Sequence, residues 1–369
     1  MDKIQMVDLH NQYKHIKPAV DDAIQDVINS SAFINGPQVK SFKSDLEKYL
    51  GCKHVIPCAN GTDALQIALM ALKVQPGDEV ILPDFTFIAT AEVIALLGLK
   101  PVFVDVDPDS FLVDIEQIES ALSSKTKAII PVHLYGQCAN MDEIMKIAVP
   151  RGIAVIEDNA QAIGSDILSN GTWKKSGTIG HIGCTSFFPS KNLGCYGDGG
   201  ALFTNDDKLA EEMACIANHG AKVKYYHEQV GMNSRLDTIQ AAILQVKLKH
   251  LDTYCEARRE AAKRYDTLLQ DVNQVKIPCR VSHSTHVFHQ YTLKVENRDD
   301  LKTYLASKAI PSMIYYPVGM HNQKAYKTSG KFKVSDELCR TVLSLPMHTE
   351  LRIEQQEYII DTIKEFYRS

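Results

Sequence analysis

From about residue 54 the chain alternates short, continuously apolar runs with amphipathic ones. HVIPC leads into TDALQIALMAL, DEVILP into TFIATAEVIALL, and PVFVDV into DIEQIESAL. AIIPVHLYG then leads into MDEIMKIAV, and IAVIED follows. β-rich runs spaced by helical stretches predict βαβ units and a largely parallel sheet. Strands of such a sheet are covered on both faces, which is why they read as unbroken apolar text. IGCTSFF and GALFT lie close together and are expected as neighbouring strands of the same sheet.

Near Asp237 the pattern changes. RLDTIQAAILQVKLKHLDTYCEARREAAKRYDTLL holds neither Gly nor Pro and predicts one long helical stretch leaving the first domain. Beyond it come a strand-like VFHQYTLKV, a helix DDLKTYLASKA, a strand-like SMIYYPV and two C-terminal helices. The expected architecture is α/β. A large domain spans residues 1–250, with a mostly parallel central sheet and helices on both faces. A smaller α+β domain spans 251–369. Residues 1–50 are expected as helices packed on the large domain, interrupted by the turn Asn35-Gly36-Pro37.

Composition narrows the function classes. Hydrophobic residues make up 45% and charged residues 23% of 369, as in soluble globular proteins. The net charge is −5 and no basic stretch stands out, so nucleic acid is not an expected partner. The longest apolar region, Ile88–Val106, is cut by Glu92, Gly98 and Lys100, and the N-terminus lacks an apolar core of signal-peptide length. A soluble, cytoplasmic protein with no membrane partner is expected. The nine cysteines are scattered without CxxC spacing, which predicts reduced core thiols rather than disulfides, and no metal site is expected.

Three segments carry candidate chemistry. Asn60-Gly61-Thr62-Asp63 turns directly from a strand into an amphipathic helix. The first N–H groups of that helix lack intrahelical partners and sit at the positive end of its dipole, which suits a phosphate. A plain capped helix would read the same way. Glu157-Asp158 ends the run IAVI, and ligands of open α/β sheets collect beyond the carboxyl ends of the strands. A loop acid capping a helix is the alternative there. Thr185 to Lys191 ends an apolar strand in hydroxyls and one lysine, followed by Gly194, Gly197, Gly199 and Gly200. A buried lysine shifts its pKa readily and forms Schiff bases, although a lone lysine is more often a solvated charge. Together, a phosphate cradle, a strand-end acid and a lysine in a glycine-rich turn are the parts that pyridoxal 5′-phosphate (PLP) needs. The acid keeps the pyridine nitrogen protonated. An ion pair near 4 Å, worth about 4 kcal/mol at an effective dielectric near 20, raises the ring pKa by up to roughly three units.

At these residues the chain resembles the DegT/StrS-type sugar-nucleotide aminotransferases, within PLP fold type I. The likeness runs from MVDLHNQY to SLPMH, through ANGTDALQIAL, DFTFIATAE, PVHLYGQ, IEDNAQAIG, CTSFFPSKNLGCYGDGGALFTND and GMNSRLDTIQAAIL. CTSFFPSK, LGCYGDGGA and NSRLDT look most like members that aminate C3 of a UDP-2-acetamido-3-oxo sugar. The resemblance implies PLP on Lys191, with pyridoxamine phosphate as the intermediate cofactor form. It places Asp158 at the pyridine nitrogen, Gln161 by the phenolic oxygen and Phe87 on the ring face. Gly61, Thr62 and Ser186 would hold the phosphate. Asn233 would reach the phosphate of a neighbouring subunit, making the working unit a homodimer with shared sites. Phe33, Ser190, Arg235, Tyr315 and Tyr316 fall on the sugar side. L-Glutamate is the implied donor and a nucleotide sugar the acceptor, in surface polysaccharide or lipopolysaccharide biosynthesis.

Bland readings stand beside these. Phe87 reads equally as core, Asn233 and Arg235 as a helix cap, Tyr315 and Tyr316 as interdomain packing, and His133 as a structural hydrogen-bonder. Asn159 stands where the family usually has Ala, so the hydrogen bonding of Asp158 is open to change. Tyr315, Ser31 and Phe33 depart from the C3-aminating members on the sugar side. A dTDP-linked 3-oxo or 4-oxo-6-deoxyhexose is therefore the alternative acceptor, and a catalytically silent regulatory relative is the alternative class. Lys191 argues against the related dehydratases, which carry His there. CANGTDAL is not the G-x-G-x-x-G that a dinucleotide-dependent dehydrogenase requires.

Overall fold

The computed structural model describes residues 3–326, 328 and 330–368, which include every candidate site residue. Helix α1 (Leu9–Ser30) is capped by Asp8, whose carboxylate accepts from the Asn11 N–H. It ends before the Asn35-Gly36-Pro37 turn, and α2 (Pro37–Leu50) starts with proline at its first position, where no N–H is needed. Strand β1 (His54–Cys58) follows, then α3 (Gly61–Ala71), β2 (Glu79–Pro83), α4 (Ala89–Leu96), β3 (Lys100–Val104), α5 (Ile115–Ala121) and β4 (Thr126–Ile129). Next come α6 (Met141–Ala148), β5 (Ala154–Asp158), the hairpin β6 (Asp166–Ser169) and β7 (Thr172–Lys175), β8 (Ile182–Ser186), β9 (Gly200–Thr204) and α7 (Asp207–Ala217).

Seven strands form one sheet in the order β1-β9-β8-β5-β4-β2-β3. Pairings from β3 through β8 are parallel, while β9 runs antiparallel to both β8 and β1. IGCTSFF and GALFT are thus neighbours as expected, but antiparallel. Alternate residues face opposite sides. Val80, Leu82, Ile156 and Cys184 pack under α3, α4 and α7. Ile81, Ile129 and Val155 pack against α6 on the other face. Because β9 is reversed, its first residue, Gly200, lies at the same sheet edge as the last residues of β1 and β8, pairing with Cys58 and Ser186. That edge is where the site forms.

A short hairpin, β10 (Ala221–Val223) with β11 (Tyr226–His227), precedes α8 (Thr238–Leu248) and α9 (Leu251–Leu269). The expected single helix is therefore two. The break has no Gly or Pro behind it and comes from tertiary packing. Leu244 and Leu248 stay in the core of the sheet, while Ala261, Tyr265 and Leu269 enter a second cluster. That second core gathers around β12 (Val275–Lys276), β13 (Tyr291–Val295), α10 (Arg298–Ser307), α11 (Lys333–Thr341), β14 (Val342–Leu345) and α12 (Ile353–Arg368). Its sheet has the order β12-β13-β14. SMIYYPV is not a strand: only Met313 bridges to Ser344, because Tyr315 and Tyr316 turn into the site. The extreme N-terminus also departs from expectation. Ile4 packs in the second core, and Met6 accepts a backbone hydrogen bond from Met347. Among the described residues no helix is long and apolar enough to cross a membrane.

Candidate active site

At the shared sheet edge, α3 is capped by Asn60, whose side chain accepts from the Asp63 N–H at 2.8 Å. Gly61 and Thr62, whose N–H groups at the start of the helix have no intrahelical partner, both line the cavity. Two glycines set the approach. A Cβ on Gly61 would meet Ser186 Cβ at 2.7 Å, and one on Gly200 would meet the Asn60 carbonyl at 2.4 Å. Substituting Gly200 by Ala should shift the start of α3, costing about 1–3 kcal/mol and weakening cofactor binding. Thermal melts and PLP titration check this; an unchanged melting temperature and affinity would show that the close approach is dispensable.

The cavity measures about 460 Å³, a size suited to a small organic ligand. Asp158, at the end of β5, is 6% exposed. Its Oδ2 accepts from the Thr90 hydroxyl at 2.8 Å and its Oδ1 from the Ala160 N–H at 3.1 Å. Burial pushes the carboxyl above its ordinary range, against the pull of Thr90, Ala160, Lys191 and His133. A protonated ring nitrogen beside it would restore the carboxylate. Asn159 leaves this carboxylate alone and donates instead to the Ser176 carbonyl at 3.3 Å.

Lys191 follows the Pro189-Ser190 turn after β8, and its own N–H bonds to the Phe188 carbonyl at 2.9 Å. Burial lowers its ammonium to about 8, with Asp158 pulling the other way. Half-buried in the cavity wall, the lysine is not the freely solvated charge that its isolation in sequence allowed. Gln161 is fixed at both ends: its Oε1 accepts from the Tyr135 N–H at 2.7 Å, and its Nε2 donates to the Tyr316 hydroxyl at 3.0 Å. Phe87 is 52% exposed at the cavity mouth, 6.2 Å from the Tyr316 ring, so it is not core. Ser186, Ser190, Tyr315 and Tyr316 complete the expected wall.

Three expected residues lie outside this cavity. Asn233 forms a bridge to Asn218 and is exposed. Arg235 lies between it and Asp237, which bridges to Ile34, and Phe33 is 45% exposed beside them. Asn233 and Arg235 do not cap α8, whose N-cap is Asp237. His133 is a structural hydrogen-bonder. It accepts from the Ala139 N–H through Nδ1 at 3.2 Å, which leaves Nε2 to donate to Glu157 at 2.8 Å. The sequence reading missed Thr86, Asp198, His289 and Gln290, which also line the cavity. Only chain topology brings the last two there.

The residues fit PLP. Thr86 is 1% exposed and its hydroxyl has no partner among the described residues, so it is free for a ligand in the cavity it lines. A helix start, a buried acid and an amine with a lowered pKa converge on the same space.

Comparison with known proteins agrees with this chemistry. The model of the DegT/DnrJ/EryC1/StrS aminotransferase family matches residues 14–364. The chain is 48% identical to a pleiotropic regulatory protein of Geobacillus stearothermophilus, covering 99% of each. It is 46% identical to the UDP-2-acetamido-2-deoxy-3-oxo-D-glucuronate aminotransferase of Pseudomonas aeruginosa, covering 94% of this chain and 96% of that one. It is 44% identical to a UDP-N-acetyl-3-dehydro-α-D-glucosamine 3-aminotransferase of Acidithiobacillus ferrooxidans, over 98% and 97%. Among solved structures, a DegT/DnrJ/EryC1/StrS aminotransferase from Brucella abortus superposes with a TM-score of 0.95 at 44% identity, covering 99% of this chain and all of that one. DesV from Streptomyces venezuelae, solved with a ketimine intermediate, superposes with a TM-score of 0.96 at 35% identity over the whole of both chains.

Proposed function

The chain belongs to the DegT/DnrJ/EryC1/StrS aminotransferase family, and from that premise we propose that it moves an amino group from L-glutamate to C3 of a UDP-linked 2-acetamido-3-oxo sugar. It is a PLP-dependent sugar-nucleotide aminotransferase. The observation that carries the reading is the convergence of Lys191, Asp158 and the start of α3 on one cavity. Likeness to two relatives named for amination of UDP-linked 3-oxo sugars supports the acceptor.

PLP, when bound, supplies the carbonyl that takes the amino group and the ring that withdraws electrons from the reacting carbon. Asp158 would hold the ring nitrogen and keep it protonated. Gln161, clamped by Tyr135 and Tyr316, presents its amide to the phenolic oxygen. Gly61, Thr62 and Ser186 hold the phosphate. Lys191 would hold the cofactor, and its Nζ would move a proton to and from the substrate carbon. Its lowered pKa keeps a share of the amine in the free-base form near neutrality. Phe87 would cover the ring, while Ser190, Tyr315 and Tyr316 would meet the sugar.

Phe33, Asn233 and Arg235 lie outside this cavity, and we assign them to the site of a second copy. The protein is then a homodimer in which Asn233 serves the neighbour's phosphate and Arg235 a carboxylate or diphosphate of its sugar. Residues 1–250 are assigned to the large domain and 251–369 to the small one, apart from the N-terminal stretch around Ile4 that joins the second core. The nine unpaired cysteines, eight of them buried, support a reducing, cytoplasmic setting. The product feeds surface polysaccharide or lipopolysaccharide assembly.

The test offers purified enzyme and L-glutamate a panel of keto sugars, with products followed by mass spectrometry. The reading expects amination of the UDP-2-acetamido-3-oxo sugar at least about tenfold faster, in kcat/KM, than a dTDP-linked 3-oxo or 4-oxo-6-deoxyhexose, a preference of about 1.4 kcal/mol. Preference for a dTDP sugar would replace the acceptor and keep the reaction. Failure with every sugar and with glutamate would favour a regulatory role.

A further inference from the structure

Asp84, the residue after β2, and His321 are both buried, yet neither lines the cavity. The two form a clasp. The Asp84 carbonyl accepts from the Met320 N–H at 3.0 Å, and Asp84 Oδ1 accepts from the His321 N–H at 2.7 Å. Asp84 Oδ2 lies 2.8 Å from His321 Nδ1, and on the far side of the ring Nε2 lies 3.3 Å from Asp336 Oδ1. Gly319 completes the fit: a Cβ there would meet Asp84 Oδ2 at 2.5 Å and His321 Nδ1 at 3.0 Å. Apolar side chains of the same volume commonly hold a fold as well as a buried pair does, so what this pair adds is a fixed geometry.

That geometry is passed to two stretches of the cavity wall. Asp84 opens the run Asp84-Phe85-Thr86-Phe87, in which Thr86 and Phe87 line the cavity. His321 closes the run that starts at Tyr315 and Tyr316, which line it as well. Between the two runs, Phe85 is 1% exposed and meets the Tyr316 ring edge-on, with centroids 6.1 Å apart. The Tyr316 hydroxyl accepts from Gln161 Nε2 at 3.0 Å. Gln161 Oε1 is held independently by the Tyr135 N–H at 2.7 Å, so the amide nitrogen is the end that depends on Tyr316. That nitrogen carries two N–H groups, and with one on Tyr316 the other is left for a ligand.

We propose that Asp84 and His321 are positioning residues: their clasp fixes the Tyr316 ring, and the Tyr316 hydroxyl in turn aims the Gln161 amide at the cofactor's phenolic oxygen. Tyr316 reaches the clasp through Pro317, Val318 and Gly319 alone, a short tether that leaves its ring little play once His321 is pinned. Phe85 closes the same path from the Asp84 side.

The inference rests on the reading that puts Gln161 by the phenolic oxygen. Gln161→Ala tests that separately, through the pH midpoint of the visible cofactor band of the holoenzyme. A donor on that oxygen draws charge from it and lowers the proton affinity of the neighbouring nitrogen that joins the cofactor to Lys191, so its loss should raise the midpoint. An unmoved midpoint in Gln161→Ala overturns that reading and this inference with it.

The test proper runs the same titration on holoenzyme carrying His321→Phe, His321→Asn, Tyr316→Phe, and His321→Phe with Tyr316→Phe. His321→Phe keeps a ring but loses the side-chain bond to Asp84, and its midpoint should rise by about half a unit or more. His321→Asn places an N–H donor where Nδ1 stands and should restore the wild-type midpoint. Asn is uncharged, so recovery separates geometry from lost charge. Tyr316→Phe removes the hydroxyl through which the clasp acts, so adding His321→Phe should move the midpoint no further, whereas a merely structural effect would add. Should His321→Phe not fold, Gly319→Ala presses a Cβ on the same pair and should raise the midpoint likewise. An unmoved midpoint in His321→Phe, or in Gly319→Ala in its stead, overturns the proposal while leaving Gln161 in place. So does a failure of His321→Asn to recover, or an added shift in the double variant.

Discussion

Replacing Lys191 by Ala lowers turnover by at least about 10³-fold, the scale of losing a positioned proton-transfer group. It also removes the covalent link to the cofactor. The loss is chemical rather than structural. Lys191 lines the cavity and forms no ion pair among the described residues. Burial already destabilises its charged form, lowering the pKa from 10.5 to about 8. For a lysine depressed on folding, the unfolded chain binds the proton more tightly between those two values, so the penalty is fully present below about 8 and fades as pH rises toward 10.5. The Ala variant lacks that penalty, and its apoprotein should melt no lower than wild type at pH 7. Steady-state kinetics and thermal melts check both halves. Turnover within tenfold of wild type would end the assignment of Lys191.

Asp158→Asn lowers kcat by about 10³-fold, because a neutral amide cannot hold the ring nitrogen protonated. An ion pair near 4 Å contributes about 4 kcal/mol at an effective dielectric near 20, which is about three decades in rate. Stability moves the other way. Burial raises the Asp158 carboxyl on folding. The native apoprotein therefore binds the proton more tightly than the unfolded chain, and stability falls as pH rises from the ordinary carboxyl range through the raised folded value. Above that window the wild-type apoprotein carries the full penalty and the Asn variant does not. Its melting temperature at pH 7 should equal or exceed that of wild type, with the difference vanishing in acid. A variant that keeps its kcat would remove Asp158 from the chemistry.

The cofactor side of the site was legible because each part is local. Asn60 to Thr62 is a strand, a turn and a helix start in consecutive residues. Asp158 marks a strand end, and Lys191 a turn crowded with glycine. Such segments announce their own geometry, and parallel pairing brings their ends to one edge. Gly200 shows the limit of this reading. Its neighbours were read correctly as a strand beside β8, yet only the reversed direction of β9 explains why it must lie against Asn60. His289 and Gln290 carried no local signal, since VFHQYTLKV alternates like a strand throughout. The first half stays irregular because Arg258 and Asn192 hold its carbonyls. Thr90 is similar: an ordinary residue on α4 that becomes a partner of Asp158 only in three dimensions. The break between α8 and α9 likewise reflects two cores competing for one helix. Phe33, Asn233 and Arg235 gather near one another but away from the cavity of their own chain, and it is this placement that motivates assigning them to the site of a second copy.

The most direct test of the account is the absorbance spectrum of the purified protein before and after L-glutamate. The account predicts a visible band from cofactor held on Lys191, a near-ultraviolet band in its place once glutamate has given up its amino group, and return of the first band on adding a UDP-2-acetamido-3-oxo sugar. A protein that stays colourless after PLP is supplied would contradict it.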